Sequence, residues 1–178
     1  MNGAFNPVFA IKPATGLGAL AKYELKENFG LTVFSGYQQR GAFFDKNLYP
    51  FAPQYKFNYV DFGLGFFLQT KEIIGKSKLF TEVLGTYHRL LNSERKNNYE
   101  SFNLVNDSKK SDFGALVNVG LQIPRRGLDA FQASIFSNFG FQNVFSGVLA
   151  DNGQVGKNFV FGIRLGYILG FNKKVVHE

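Results

Sequence analysis

Ionisable side chains recur inside segments that otherwise consist of apolar residues and glycine, and they could do chemistry there. His88 lies in such a segment, with Thr86 and Ser93 close to it in sequence. A histidine that deprotonates a neighbouring hydroxyl, and that a third group orients, would make a nucleophilic enzyme. No spacing typical of such a triad surrounds His88. We therefore interpret it as a histidine that is hydrogen-bonded to Glu82 or to a tyrosine.

Eight ionisable residues share one parity of these segments, so they lie on one face if the segments are strands. They are Lys22, Glu24, Arg40, Asp61, Glu82, His88, Asp112 and Arg164. Buried charges are costly unless they are paired. We predict a structural network in which Lys22 and Arg164 neutralise the carboxylates of Asp61, Glu82 and Glu24. A path for protons or for a ligand is the alternative interpretation.

The inventory of metal-binding side chains is small. The chain has 2 His and no Cys, and His177 lies in the terminal tail. Zinc sites use three or four Cys, His or carboxylate ligands, and no such cluster is evident. We predict no metal site, no cofactor and no catalytic residue.

The last apolar segment indicates which elements position these residues. From Asn158 to Phe171 one parity is wholly apolar, while the other carries three glycines, Asn158 and Arg164. The second parity is too rich in glycine and too poor in charge for a solvent face. A barrel in lipid has the inverse arrangement, with apolar side chains outward and small or polar ones in the lumen.

The same alternation recurs along the chain and predicts an eight-stranded antiparallel up-and-down transmembrane β-barrel. The predicted strands are Phe5–Lys12, Thr15–Leu25, Phe29–Arg40, Lys56–Thr70, Leu79–Leu91, Asp112–Ile123, Phe131–Gln142 and Asn158–Phe171. Short connections alternate with the longer loops Gly41–Tyr55, Asn92–Ser111 and Asn143–Lys157. Both chain ends are then expected on the short-turn side. The first connection, at Pro13–Thr15, is the one that is shorter than this scheme predicts.

Composition restricts the class of protein. The chain has 178 residues, 22 of them Phe, and a mean hydropathy of −0.09. No apolar run reaches the roughly 18 residues of a membrane-spanning helix. The net charge of +7 is scattered along the chain, so we predict no nucleic-acid binding. The start, Met1–Pro7, has no signal-peptide pattern, and we therefore expect that the numbering is that of a mature, exported chain.

Four short segments carry a resemblance to a family: Leu25–Leu31, Lys56–Gly65, Phe80–Gly85 and Asp112–Gly114. They resemble the PorT-like outer-membrane β-barrel domains, whose fourth strand carries a Tyr-Leu-Glu-Ile-Pro-Leu run. Asp61 stands at the position of the Glu, and Gly63 replaces the Pro. The resemblance implies an eight-stranded barrel in the outer membrane of Bacteroidota. The family's namesake is associated with type IX secretion.

Two further groups of residues are expected to mediate contacts. Aromatic residues in the first long loop either cap the barrel as a folded-back loop or form a candidate docking surface, because exposed apolar clusters often mark contact with a partner. They are Phe43, Phe44, Tyr49, Phe51 and Tyr55. Tyr167, Leu169 and Phe171 end the last strand and resemble the signal that barrel-assembly machinery reads.

The sequence therefore predicts a barrel domain over residues 1–171 and a short periplasmic tail over residues 172–178. We expect a non-catalytic structural or accessory subunit of a larger outer-membrane complex, surrounded by outer-membrane lipid and lipopolysaccharide. The alternatives are an outer-membrane enzyme that modifies lipid A and a soluble calycin-like carrier of a small ligand.

Overall fold

The regular structure of the chain is extended almost throughout. The computed structural model of the protein describes residues 9–11, 15–44, 54–73, 75–96, 101–125, 130–144, 146 and 157–168. The strands are β1 (Phe9–Ile11), β2 (Gly16–Lys26), β3 (Phe29–Phe44), β4 (Gln54–Gln69), β5 (Lys78–Lys96), β6 (Ser101–Asn103), β7 (Ser111–Pro124), β8 (Ala130–Asn143) and β9 (Lys157–Ile168). Within these ranges no helix has the length and apolar character needed to cross a membrane. The prediction of an all-β fold with eight strands in one antiparallel sheet is confirmed, with β6 as a short addition, and from β2 onward these strands are joined up and down.

The two faces of the sheet differ in the sense that the sequence predicts. In β4, buried residues alternate strictly with exposed ones from Asp61 to Gln69. The exposed set is apolar, with Phe62, Leu64, Phe66 and Leu68 each between 49% and 62% exposed. The buried set contains Asp61, two glycines and Phe67. The sheet therefore has an apolar outer face and a mixed, partly charged inner face.

The sheet curls until its two halves touch. Tyr59 of β4 is hydrogen-bonded to Asn158 of β9, although four sheet positions separate the two strands. The guanidinium of Arg164, also in β9, lies 4.8 Å from the ring centroid of Phe34 in β3. These contacts enclose the inner face, so the charged residues on it are interior residues.

The first strand lies in an unexpected place. β1 pairs with residues 42–44 of β3, while β2 pairs with residues 29–38 of the same strand. Because β4 pairs with β3 along its other edge, β1 and β2 lie in line and run in the same direction. Ile11 is opposite Ala42 of β3, and Gly16 is opposite Gln38. The chain takes five steps from Ile11 to Gly16 where β3 takes four, so the register shifts by one residue.

The expectation that the connection at Pro13–Thr15 reverses the chain is therefore wrong, as is the expected position of the first strand's end on the short-turn side. Seven strand positions remain across the sheet: that of β1 and β2, then β3, β4, β5, β7, β8 and β9. Since neighbours alternate in direction, β2 and β9 run the same way. Among the residues that the structure describes, no ladder joins β9 to β1 or β2. We call this unpaired gap between β2 and β9 the seam.

The long connections are more ordered than the sequence predicts. β5 continues to Lys96, and β6 pairs with it at residues 94–96, so much of the predicted loop Asn92–Ser111 is a hairpin. Leu91 is an extra residue opposite β4, and it shifts the parity of the strand beyond it. Leu104 and Val144 are buried next to this hairpin, and the backbone of Lys109 donates to Val144. This end of the sheet is thus covered by folded chain.

Candidate functional site: the charged interior

A buried cluster of three ionisable groups lies on the inner face of three neighbouring strands. Arg40 of β3, Asp61 of β4 and His88 of β5 all point inward and are at most 4% exposed. Arg40 Nη2 donates to Asp61 Oδ2 at 2.5 Å, and His88 Nδ1 lies 2.8 Å from Asp61 Oδ1. Arg40 Nη2 also lies 3.0 Å from His88 Nδ1. Asp61 is therefore held by two side chains, one on each of its oxygens.

The protonation of the His88 ring decides which of these bonds is made. Asp61 as a carboxylate accepts and Arg40 donates, so Nδ1 binds Asp61 when it carries a proton and accepts from Arg40 when it does not. On the other side of the ring, Thr86 Oγ1 lies 3.0 Å from Nε2 and 3.4 Å from Asn138 Oδ1. The single hydroxyl proton of Thr86 can be donated to only one of them. The cluster is thus a continuous path of hydrogen bonds that has two proton arrangements.

The order Asp61, His88, Thr86 is that of an acid, a base and a hydroxyl in a nucleophilic relay. The hydroxyl is enclosed, because Thr86 is 4% exposed and lies against Asn138. Gly114 closes another side: a Cβ added there would lie 3.0 Å from Thr86 Oγ1 and 3.1 Å from His88 Nε2. The geometry supports proton exchange within the cluster and leaves Thr86 without an open approach for a substrate.

A second cluster holds β2 against β5 across the interior. Lys22 Nζ lies 2.7 Å from Glu82 Oε1, and Glu82 Oε2 accepts from Asn118 Nδ2 at 2.8 Å. The ammonium group also lies 4.3 Å from the ring centroid of Phe80 and 5.1 Å from that of Phe67. Lys22 is thus paired with one of its predicted carboxylates, and aromatic faces complete its surroundings.

A third cluster joins β9 to β4 across the interior. Asp112 Oδ2 accepts from Asn158 Nδ2 at 3.0 Å, and Asp112 Oδ1 accepts from the backbone N–H of Gln142 at 3.0 Å. Asn158 also donates to the Tyr59 hydroxyl at 3.4 Å. The side-chain amide of Asn158 and the backbone N–H of Gln142 therefore link β4, β7, β8 and β9.

One predicted pairing does not occur, and another is made only at longer range. Within the described part of the chain Arg164 makes no ion pair, but the carboxylates of Glu82 and Asp61 act on its charge electrostatically. Its guanidinium lies between the rings of Phe34 and Phe136, at 4.8 and 5.1 Å, and its Nη1 is buried without a hydrogen-bond partner. Glu24 is exposed and accepts from Gln69 Nε2 at 3.2 Å instead of binding a cation. His88 binds Asp61 and not Glu82.

A cavity of about 710 Å³ opens along the seam. β2 and β9 form its walls, and Arg164 and Gln132 are among the polar residues that line it. Gln132 is buried, and its Nε2 has no hydrogen-bond partner. The cavity therefore contains two adjacent donors without acceptors.

The residues predicted to mediate contacts lie partly outside the described chain. Phe43 and Phe44 belong to the end of β3, and Tyr55 lies at the start of β4, where its ring stacks on Phe57 at 6.4 Å between centroids. These three belong to a long hairpin, so their prediction as loop residues is wrong. Tyr167 is on the outer face against Phe131. Tyr49, Phe51, Leu169, Phe171 and the tail at residues 172–178 lie outside the described residues.

Sequence reasoning assigned no role to the asparagines of the three clusters. Asn118, Asn138 and Asn158 all lie at inward positions, so their parity was the available signal. In the described ranges no group of three or more His, Cys, Asp or Glu is arranged to hold a metal ion.

Comparison with known proteins adds no relative. No protein-family model, no curated protein and no solved structure matches the chain.

Proposed function

We propose that this protein is an integral β-barrel of the bacterial outer membrane and acts as a non-catalytic structural or accessory subunit of a larger outer-membrane complex. The observation that carries the proposal is the inverted sidedness of the sheet. Leu64 and its outward neighbours in β4 are exposed, while Arg40, Asp61 and Glu82 are buried. Lipid accepts such an outer face, whereas water does not.

The outer apolar face continues beyond β4. β7, β8 and β9 add Phe113, Ile135, Phe161 and Ile163, each more than half exposed. Soluble monomers rarely expose a contiguous apolar patch larger than a few hundred Å². In the proposed location, outer-membrane lipid and lipopolysaccharide cover this face and the strands cross the bilayer.

The accessory role is supported by what fills the interior. Side chains of all three charged clusters occupy it, as expected of a barrel of about eight strands, which has no open channel. The folded hairpin of β5 and β6, with Leu104 and Val144, gives the long-connection end an ordered surface for a partner. The link to secretion and to Bacteroidota stays a prediction from the PorT-like resemblance.

The membrane proposal is tested by solubility and by folding. We expect the purified protein to be monodisperse only in detergent, to float with phospholipid vesicles and to migrate differently on gels before and after boiling. Changing Leu64, Phe66 and Leu68 together to Gln should abolish flotation of the refolded protein. A wild-type chain that stays monodisperse in buffer without detergent would refute the membrane location.

The accessory role is tested by co-purification. The tagged protein is isolated from outer membranes in a mild detergent, and the mass of the intact particle is measured. We expect one partner in a fixed ratio and a particle larger than the barrel with its micelle. A particle of single-barrel mass in the native membrane would contradict the accessory role and leave the membrane location standing.

One observation favours a second candidate, an enzyme that modifies lipid A. The hydrogen bonds from Asp61 through His88 to Thr86 have the order that acyl-transfer chemistry needs, and a substrate would reach Thr86 only if the side chains that enclose it move. If this candidate holds, His88→Ala and Thr86→Val should each change the lipid A profile of the cell, and Ser93→Ala should not. An unchanged profile in all three variants removes it.

The seam cavity favours the third candidate, a soluble carrier. It predicts a protein that remains monodisperse in buffer and binds its ligand there. The same detergent experiment therefore separates the carrier from the membrane protein.

A further inference from the structure

Two buried donors at the seam lack acceptors. Arg164 is opposite Ser134 in the β8–β9 ladder, and Gln132 is opposite Gly166. On one face of an antiparallel pair such diagonal neighbours are about 7–8 Å apart. Both side chains line the seam cavity, and within the described part of the chain Arg164 Nη1 and Gln132 Nε2 have no hydrogen-bond partner. A buried unpaired donor is costly, so the pair is a site for acceptor oxygens.

The local charge at this place is positive. Asp61 also lines the cavity, but Arg40 and His88 engage its two oxygens. Glu82 is paired with Lys22. Asp112 is bound to Asn158, which lies six residues from Arg164 along β9, or about 20 Å at the rise of a strand. Glu82 and Asp61 act on the charge of Arg164 electrostatically, but each is already paired with another cation, so an additional anion fits beside Arg164.

The seam supplies an apolar path that leads from these donors to the outer face. Leu17 of β2 and Leu165 of β9 are 83% and 79% exposed, more than the outward residues of β4. Phe34 and Phe136 flank the guanidinium inside. Because β2 and β9 run in the same direction, the antiparallel ladder of the sheet cannot continue across the seam. A chain-like apolar group can lie there.

We propose that the seam cavity binds a single-chain amphiphile with an anionic head. The carboxylate or phosphate of the head accepts from Arg164 and Gln132, and the alkyl chain lies between β2 and β9. The cavity volume is within the range of about 300–1,000 Å³ that ligand sites occupy. The proposal rests on the membrane location only for the route of the ligand, which reaches the seam laterally from the bilayer.

Binding can be measured with a tryptophan placed at the seam, because the chain has no Trp of its own. Leu20 lines the cavity, so Leu20→Trp reports on the site, and Leu64→Trp on the far outer face is the matched control. The probe is doxyl-labelled stearate, added to the refolded protein in a non-ionic detergent. We expect saturable quenching at position 20 and only weak, non-saturating quenching at position 64.

Charge dependence is tested in the Leu20→Trp background. Arg164→Gln should weaken binding roughly tenfold or more, since it removes a hydrogen bond to an ionised group. Arg164→Lys should retain part of the affinity. Arg125→Gln removes an arginine that also lies over a phenylalanine, Phe131, but does not line the cavity, and it should change nothing.

Competition identifies the head group. Laurate and dodecyl phosphate should displace the probe, and methyl laurate should not. The anion that displaces the probe at the lower concentration shows whether the site prefers a carboxylate or a phosphate head group. Equal quenching at positions 20 and 64, equal competition by the methyl ester, or an Arg164→Gln affinity within twofold of the parent would overturn the proposal. Circular dichroism of each variant confirms folding, and the outcome is independent of whether the protein floats with vesicles.

Discussion

Replacing Asp61 with Asn should destabilise the protein by about 3 kcal/mol or more. The change keeps the shape of the side chain but removes the charge that Arg40 and His88 bind. Arg40 is 4% exposed, so its guanidinium would remain buried beside Gln38, the His88 ring, the face of Tyr59 and an uncharged amide oxygen in place of the carboxylate. Breaking a buried ion pair by removing one partner costs about 3–5 kcal/mol. Because these contacts to Arg40 remain, we expect a loss of unfolding free energy near the lower end of that range. This loss corresponds to a roughly 150-fold change in the folding equilibrium constant.

A double-mutant cycle separates the charge from the loss of one side chain. Arg40→Met together with Asp61→Asn removes both charges, and we expect the double variant to recover most of the lost stability. Asp112→Asn is the matched control, because Asp112 is equally buried but binds only the neutral donors Asn158 and Gln142 N–H. Its cost should be about 1–2 kcal/mol.

The assay is equilibrium unfolding in guanidinium with phospholipid vesicles present, followed by far-ultraviolet circular dichroism. The absence of Trp makes the backbone signal the natural choice. If Asp61→Asn costs no more than Asp112→Asn, the Arg40 charge is not held by Asp61. If the double variant is as unstable as the single one, the effect does not come from charge pairing.

Three further predictions use the same unfolding assay. Leu64→Lys places a charge on the outer face and should cost about 2–4 kcal/mol in vesicles; an unchanged midpoint would show that this position is not within the bilayer core. Gly114→Ala should lower the midpoint because its Cβ would collide with the backbone of β8, whereas Gly85→Ala has open space and should be tolerated; equal effects would contradict the packing. Lys22→Met should cost about 3 kcal/mol by leaving Glu82 buried without its cation, and adding Glu82→Gln should restore most of it; no restoration would place the cost in lost packing.

The sidedness of the strands could be predicted because alternation is a local property. Side chains in β4 point inward and outward in turn. One long run of alternate apolar residues therefore shows which face of the sheet each residue of the strand occupies. β2, β4, β7 and β8 accordingly begin and end within two residues of the predicted bounds. The prediction was wrong for β5 because Leu91 inserts one residue and reverses the parity, after which the pattern no longer reads as one strand.

Pairing across the interior could not be predicted, because alternation does not fix which neighbour a side chain meets. Asp61 could face several cations; the register places it opposite Gly36, and the side chain of Arg40, four residues further along β3, reaches it across the inner face. The alignment of β1 with β2 is another such case. Both segments alternate, but nothing in either indicates that they share one edge of β3.

The up-and-down order of the sheet also sets the order in which the chain can fold. The ladders from β2 to β5 and from β7 to β9 join strands that are near each other in sequence, so each can form as a hairpin. The bond from Asn158 to Tyr59 joins residues 99 positions apart, and the entropy of closing such a loop must be overcome before the contact contributes. We therefore expect this contact between β4 and β9 to form after the local ladders, so that closure of the interior is a late step of folding.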